Sequence, residues 1–475
     1  MRKTAGSIDL AFPERSADRS LTAWLYQEFC RAIASGKLQP GVRLPSTREF
    51  AQQHRISRGT VVTVFEQLKS EGYLRTGKGA GTWIDARLPI RKKVPVRMSQ
   101  LSTSYLPHPL AGLEFLYPPR PFRLDVPALD LFPIRDWARI ASRHLRRAPG
   151  FLLGGRDRGG FEPLRIAIAS YLGTSRGVAC SPDQIFVVSG VQQGLDIVAR
   201  VLLKRGDSVG MEDPGYFGAL LAFRNAGANV VPIPVDEEGM NPARAGRKAK
   251  LAYLTPAHQF PLGVTMSLQR RLQVLAWARD SDCFLLEDDY DSEYRFQGSP
   301  IPAMQSLDDS QRVILVGSFN KLMFPALRIG YIVAPPRLAD SLAAQRFGID
   351  LNSFTIDQAA MADFIEQGAL SRHLRRMRDI YGARLAVLHE ACRKYLRGLV
   401  ELSPVQAGLF TPAFFRNALT SRIAERAVRA QGLESMGLHR FSLRGKDHQG
   451  LLLGFGAFDE KSIRQAVLTL ARVLD

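Results

Sequence analysis

A lysine at the end of an apolar strand-like run has an amine to spend on chemistry, and Lys321 is such a residue. It closes the run Arg312-Val313-Ile314-Leu315-Val316-Gly317-Ser318-Phe319-Asn320-Lys321, with Arg328 seven residues on. A second apolar run, Cys283-Phe284-Leu285-Leu286-Glu287, leads into Asp288-Asp289-Tyr290-Asp291. A third, Gln184-Ile185-Phe186-Val187-Val188-Ser189, leads into Gly190-Val191-Gln192-Gln193-Gly194. A glycine turn into a helix presents free backbone N–H groups to an anion. Glu212-Asp213-Pro214-Gly215-Tyr216 adds an aromatic ring after a fourth run. Pyridoxal phosphate asks for all of these groups at once. Lys321 supplies the amine that condenses with its aldehyde as a Schiff base, and Asp288 the carboxylate that keeps the ring nitrogen protonated and the ring an electron sink. Tyr290 supplies a hydroxyl for the phenolate oxygen and Tyr216 a ring to stack. The phosphate dianion is met by the helix N-terminus at Gly190, Val191 and Gln192, the Ser318 hydroxyl and the Arg328 guanidinium.

A different chemistry is written near the N-terminus. Ser57-Arg58-Gly59-Thr60 opens a helical pattern, and Arg43, Arg48 and Lys78 lie before and after it. Arginine offers a bidentate fork to guanine, and hydroxyls reach phosphates or bases. Gly59 lets backbones approach closely, and Arg43, Arg48 and Lys78 neutralise phosphate or enter the minor groove.

Both groups need scaffolds. Residues 21–35 carry apolar side chains at helical spacing, and Gly36 stops them. Ser46 with Glu49 three residues on is a capping box that predicts a short helix over 47–54. A turn at Arg55-Ile56 leads to a second cap at Ser57 and a helix over 58–70 whose inner face is Val61, Val64, Phe65 and Leu68. Strand-like pieces at 73–75 and 81–84 flank the turn Gly77-Lys78-Gly79-Ala80. This order is a winged helix-turn-helix, in which the second motif helix enters the major groove. Residues 87–121, rich in Pro and basic side chains, read as a linker between a module over 18–86 and a region over 122–475. In that region strand-like runs at 184–189, 208–212, 229–235, 250–255, 283–287, 312–316 and 330–333 alternate with helical patterns, which predicts a mainly parallel α/β sheet. Ligands of such sheets sit beyond the carboxyl ends of the strands, where the residues named above fall.

Composition bounds the rest. The chain has 475 residues, 45% apolar and 23% charged, as in ordinary globular protein. Its four cysteines form no C-x-x-C pair, which excludes a zinc ribbon and favours a reducing compartment; no metal site is expected. The formal charge of +19 favours polyanionic partners. No apolar run is long enough to span a bilayer, and no signal peptide is expected, so a cytoplasmic protein without a membrane partner is predicted.

The N-terminal run resembles the GntR superfamily of bacterial repressors, through Gly41-Val42-Arg43-Leu44-Pro45-Ser46-Thr47-Arg48, Ile56-Ser57-Arg58-Gly59-Thr60-Val61, Leu68-Lys69-Ser70-Glu71-Gly72 and Gly77-Lys78-Gly79. From about Phe122 onward the chain resembles the fold-type I aminotransferases, through Thr255-Pro256-Ala257-His258-Gln259-Phe260-Pro261-Leu262-Gly263, Glu287-Asp288-Asp289-Tyr290-Asp291-Ser292-Glu293-Tyr294 and the segment from Ser318 to Gly330. Together they resemble the MocR/GabR family of bacterial regulators. That resemblance implies a seven-stranded, mainly parallel sheet with a smaller α+β C-terminal subdomain, a head-to-tail homodimer and double-stranded promoter DNA as partner. It also implies a small amine, amino acid or pyridoxal phosphate itself as effector, sensed by aldimine chemistry at Lys321. A working aminotransferase with a DNA-binding appendage is the alternative reading.

Five positions depart from the family pattern. Asn320 stands where a Ser is usual, Gly155 where a Tyr often reaches the partner's site, and Val191 where a Thr often adds a hydroxyl. Phe260 replaces the Asn of true aminotransferases, and Leu452 the Arg that takes the substrate carboxylate. The last two argue against efficient turnover. In the GABA-sensing relatives an Arg lies slightly upstream, which makes Arg440, with His439 beside it, the expected effector anchor.

Overall fold

Four apolar side chains on one face of a helix set the architecture of the first unit. In a computed structural model of the chain, α1 (Leu21–Ala34), α2 (Thr47–Gln53) and α3 (Arg58–Ser70) pack around Val61, Val64, Phe65 and Leu68, all buried. Burial of each such side chain contributes about 1.5–3 kcal/mol. The structure describes residues 20–77, 81–87, 117–154, 158–246, 248–296, 298, 301–351, 355–444 and 448–474. The chain divides into two units, Met1–Ser104 and Tyr105–Asp475, a division that falls inside the segment read as a linker.

Both predicted caps form. Ser46 accepts from Glu49 N at 3.2 Å while Glu49 Oε2 accepts from Ser46 N at 2.9 Å, and Ser57 Oγ accepts from Thr60 N at 3.1 Å. The wing is β2 (Leu74–Gly77) against β3 (Gly81–Ile84), and β3 also pairs with a short β1 (Arg43–Leu44) that the sequence pattern does not announce. Two residues are too few to show a period of two. Lys78, at the wing's turn, lies outside the described residues.

The second unit is built on a twisted sheet of eight strands. They are β4 (Ile185–Val188), β5 (Ser208–Asp213), β6 (Asn229–Asp236), β7 (Gly239–Met240), β8 (Ala249–Leu254), β9 (Phe284–Asp289), β10 (Val313–Ser318) and β11 (Gly330–Val333). Their order across the sheet is β4-β11-β10-β9-β8-β5-β6-β7. The seven expected strands form its body, and β7 is a two-residue arm folded back on β6. From β10 through β9, β8 and β5 to β6 the pairs are parallel; β11 runs antiparallel to both its neighbours. The carboxyl ends of β4, β5, β8, β9 and β10 therefore share one edge with the amino end of β11. A four-stranded antiparallel sheet follows, β12 (Val400–Leu402), β13 (Phe410–Phe415), β14 (Met436–Gly437) and β15 (Gly450–Gly454), with the helices Ala369–Tyr395 and Glu460–Leu474. Among the described residues no helix is long and apolar enough to cross a membrane, and the four cysteines are unpaired.

Candidate functional site

That shared sheet edge opens on a cavity of about 230 Å³, lined by Lys321, Asp288, Tyr290, Tyr216, Ser318, Arg328, Val191 and Gln192. Eight of the nine residues expected around the cofactor thus converge, and Gly190 stands directly behind them. Its φ of +89° and the 3.0 Å that would separate an added Cβ from the Arg328 guanidinium leave only glycine at that turn. The helix Val191–Leu202 begins immediately after it, so the backbone N–H groups of its first turn lie at the cavity end. Arg328 itself sits at φ +52° and donates to Ser189 O at 2.5 Å, which ties the guanidinium to the same turn.

Strand alternation explains the acidic run. β9 continues two residues further than its apolar core, so Asp288 and Asp289 point to opposite faces. Asp289 turns away to a buried ion pair with Arg176 at 2.8 Å. Asp288 turns to the cavity, where Oδ2 accepts from the Tyr253 hydroxyl at 2.7 Å and Oδ1 has no partner. Burial pushes its pKa up to about 7, against the pull of the Tyr253 hydrogen bond and of Lys321. An orphaned carboxylate oxygen held in an apolar wall fits a protonated ring nitrogen.

Lys321 is half-buried, and loss of water around it opposes its charge, yet the carboxylates of Asp125, Asp291 and Asp288 outweigh that and raise its pKa. Its Nζ stands 2.5 Å from Asp125 Oδ1 and 4.1 Å from the centroid of the Tyr290 ring. Tyr290 donates its hydroxyl to His258 O at 2.7 Å, and His258 Nδ1 lies 3.0 Å from Asp291 Oδ1. Tyr216 meets Phe260 edge-on at 6.0 Å. Behind this layer Glu212 accepts from Thr255 N at 3.1 Å and Thr255 Oγ1 at 2.7 Å, fixing the loop that carries Phe260.

Three residues here lie outside the set drawn from the sequence. Asp125 comes from an irregular segment near the start of the unit. Tyr253 and Thr255 sit at the end of β8, where a reader watching for charge passes over them.

The expected effector anchors do not reach the cavity. Arg440 bonds Glu425 with Nε at 2.8 Å from both carboxylate oxygens, and His439 Nε2 is 3.9 Å from the same group; neither lines the site. Leu452 is fully buried in β15 among Leu124, Phe260, Phe410 and Phe441. Gly155 lies outside the described residues.

In the first unit Ser57, Arg58 and Gly59 are exposed at the start of α3, as are Arg43 and Arg48. Arg43 lies over the Trp83 ring at 5.8 Å. The Ser57 hydroxyl is 2.8 Å from that of Thr60, so both already serve the cap.

Comparison with known proteins divides the chain in the same way. Residues 21–84 match the gntR family of bacterial regulatory proteins, and residues 124–445 match aminotransferase class I and II. The chain is 39% identical to the probable rhizopine catabolism regulatory protein MocR of Rhizobium meliloti, over 96% of this chain and 94% of that one. It is 31% identical to the pyridoxine biosynthesis transcriptional regulator PdxR of Corynebacterium glutamicum, over 94% of each. Among solved structures, the kynurenine aminotransferase of Pyrococcus horikoshii, crystallised in complex with PMP, superposes with a TM-score of 0.69 at 28% identity, covering 74% of this chain and 90% of that one.

Proposed function

From a chain that belongs to the MocR/GabR-type regulators, a gntR-family module joined to an aminotransferase class I and II domain, we propose a transcriptional regulator whose DNA binding answers to the state of Lys321. The observation that carries this reading is the pairing of the Lys321 amine with the unpartnered Oδ1 of Asp288 on one cavity. Pyridoxal phosphate, when bound there, supplies an electrophilic carbon and an electron-withdrawing ring. Lys321 holds it, Asp288 keeps the proton on its ring nitrogen, Tyr216 covers one face, and Gly190, Val191, Gln192, Ser318 and Arg328 hold the phosphate. Arg58, with Arg43 and Arg48, reads and clamps the operator, and Lys78 adds a further positive charge for its phosphates.

An amine, an amino acid or the cofactor itself acts as effector by changing what Lys321 is bonded to. Such a ligand shifts the protein between two states only by as much as its affinities for them differ. Two copies joined head-to-tail carry two reading modules, and tethering raises their joint affinity for a paired site. The alternative, an efficient aminotransferase with a DNA-binding appendage, is disfavoured by Phe260 in the cavity wall and by Leu452 buried in β15.

The deciding experiment follows the visible absorption of the purified protein in excess pyridoxal phosphate, then operator binding with and without candidate amines. A cofactor band that is fixed by borohydride on Lys321, together with amine-dependent operator binding, supports the reading. Sustained turnover of an amino acid and a 2-oxo acid well above the free-cofactor rate defeats it.

A further inference from the structure

A carboxylate in a water-poor site needs a cation to meet it. The cavity beside Lys321 is lined by two cationic side chains among the described residues, Lys321 and Arg328. Arg328 is turned to the glycine turn at Ser189 and Gly190, the phosphate end. Arg440 is committed to Glu425 at 2.8 Å. A second cavity of about 570 Å³ adjoins the first and shares Asp125, Tyr216, Phe260 and Pro325 with it. Its cation is Arg123, which donates to the buried Glu434 at 3.0 Å. The rest of its wall is mostly apolar, with Leu124, Phe217, Phe324, Met436 and Phe441. Phe260, shared by both cavities, and Leu452, packed behind it, are buried and apolar.

The charge at this end of the site is negative. Asp125 Oδ1 stands 2.5 Å from Lys321 Nζ, its side chain half exposed to the opening. Its backbone is in the left-handed region, φ +64°, a conformation that Asp and Asn tolerate better than most residues and Gly best of all. The carboxylate is therefore held at the mouth between the two cavities.

We infer that the effector of this site is a primary amine with an apolar body and no carboxylate, drawn in as its ammonium by Asp125. The inference rests on the reading above that the cavity holds pyridoxal phosphate on Lys321. The exchange it serves is charge-neutral. The incoming nitrogen would replace the Lys321 nitrogen in the C=N bond to the cofactor carbon: one C=N bond forms as the other breaks, the incoming ammonium gives up two protons, and Lys321, leaving as an ammonium, takes up two. Asp125 is the anion beside the leaving amine, and the apolar wall receives the body of the incoming one. An α-amino acid brings a second charge, which meets Asp125 as a like charge and the wall as an apolar surface.

The test titrates the full-length holo-protein with phenethylamine and with phenylalanine, which differ only in the carboxylate, reading the visible cofactor band and, in parallel, operator affinity. Phenethylamine is expected to half-saturate at a concentration about 10–100-fold lower, the range for a carboxylate's repulsion by Asp125 and its desolvation against an apolar wall both avoided. Asp125→Asn keeps the shape and removes the charge, and Asp125→Gly suits the φ of +64° and removes the side chain, so both preserve the local fold. Each is expected to narrow the gap about tenfold, read as the ratio of the two ligands within one variant saturated with pyridoxal phosphate. Equal or tighter binding of phenylalanine, an unchanged gap in both variants, or silence toward both ligands with an intact band overturns the inference while leaving the cofactor reading in place. A parent protein that shows no cofactor band in excess pyridoxal phosphate overturns the cofactor reading itself.

Discussion

Replacing Asp288 by Asn separates what the site costs the fold from what it gains in binding. In the cofactor-free protein burial holds the Asp288 carboxyl near pKa 7, about three pH units above an exposed Asp. The unfolded chain ionises this group from about pH 4, the folded chain only near pH 7. The stability it contributes is therefore full below pH 4 and is lost as pH rises through 7. Each unit is worth ~1.4 kcal/mol, so the loss above pH 7 approaches about 4 kcal/mol. Asp288→Asn abolishes that loss, and its amide can still accept from Tyr253. Against this, an amide N–H facing the position of the unpartnered Oδ1 costs about 1–3 kcal/mol. The net expectation is a cofactor-free variant about 1–3 kcal/mol more stable than the parent at pH 8, with the advantage gone by pH 4. The cofactor then reverses the order. Loss of a charge-assisted bond of about 1.5–3 kcal/mol weakens pyridoxal phosphate binding about 10–150-fold. Urea unfolding of cofactor-free protein at pH 4, 6 and 8 reads the first effect, and equilibrium titration with pyridoxal phosphate the second. A parent more stable than the variant at pH 8, or a difference that does not change with pH, refutes the burial argument. Unchanged cofactor affinity refutes the role of Asp288.

The other perturbations address the remaining parts. Arg58→Ala is expected to weaken specific operator binding by about 1–3 kcal/mol in an anisotropy titration while the cofactor band stays intact; equal binding removes α3 from the major groove. Lys321→Ala should lose the lysine-bound cofactor band and keep basal operator affinity, and a full effector response in that variant would show that bonding to Lys321 is not the switch. Arg176→Met leaves Asp289 buried without its partner and is expected to lower the unfolding free energy by about 3–5 kcal/mol in urea, whereas a neutral result would mean that Asp289 takes up a proton at little cost.

How far the sequence carried these conclusions depends on the range of the forces involved. Helix caps are local, and the Ser46 and Ser57 caps stand where the pattern put them. The convergence of Lys321, Asp288 and Gly190 was legible because a parallel sheet sends every strand end to one edge, so the strand order did not have to be known in advance. The start of the helix after Gly190 was not legible from periodicity. Gln192 and Gln193 are polar at its first turn, and the glycine's positive φ, rather than an apolar stripe, marks the boundary. Arg440 stays away from the cavity for a long-range reason: Glu425, on the helix Ser421–Ala430, takes its guanidinium, and no spacing rule connects two residues on different elements. Asp125 follows no strand and has no cap or periodic pattern around it. Only a positive backbone angle and an ion pair across 196 positions, from 125 to 321, bring it to the site.

The charges around Lys321 are sorted by end, and this constrains what the site can serve. Gly190, the start of the helix Val191–Leu202 and Arg328 make one end favourable to a dianion. Asp288 and Asp125 line the other end, with Lys321 as the cation between them, among the described residues. Asp291, just behind, is met by His258, and burial raises the pKa of Asp288 despite the pull of the lysine. A ring that carries phosphate at one end and a protonated nitrogen at the other relieves both ends, and its aldehyde is met by the amine between them. Once Asp288 is matched by the ring nitrogen, Asp125 is left as the carboxylate nearest the opening. The next charge such a site would admit is positive, in line with the amine effector proposed above.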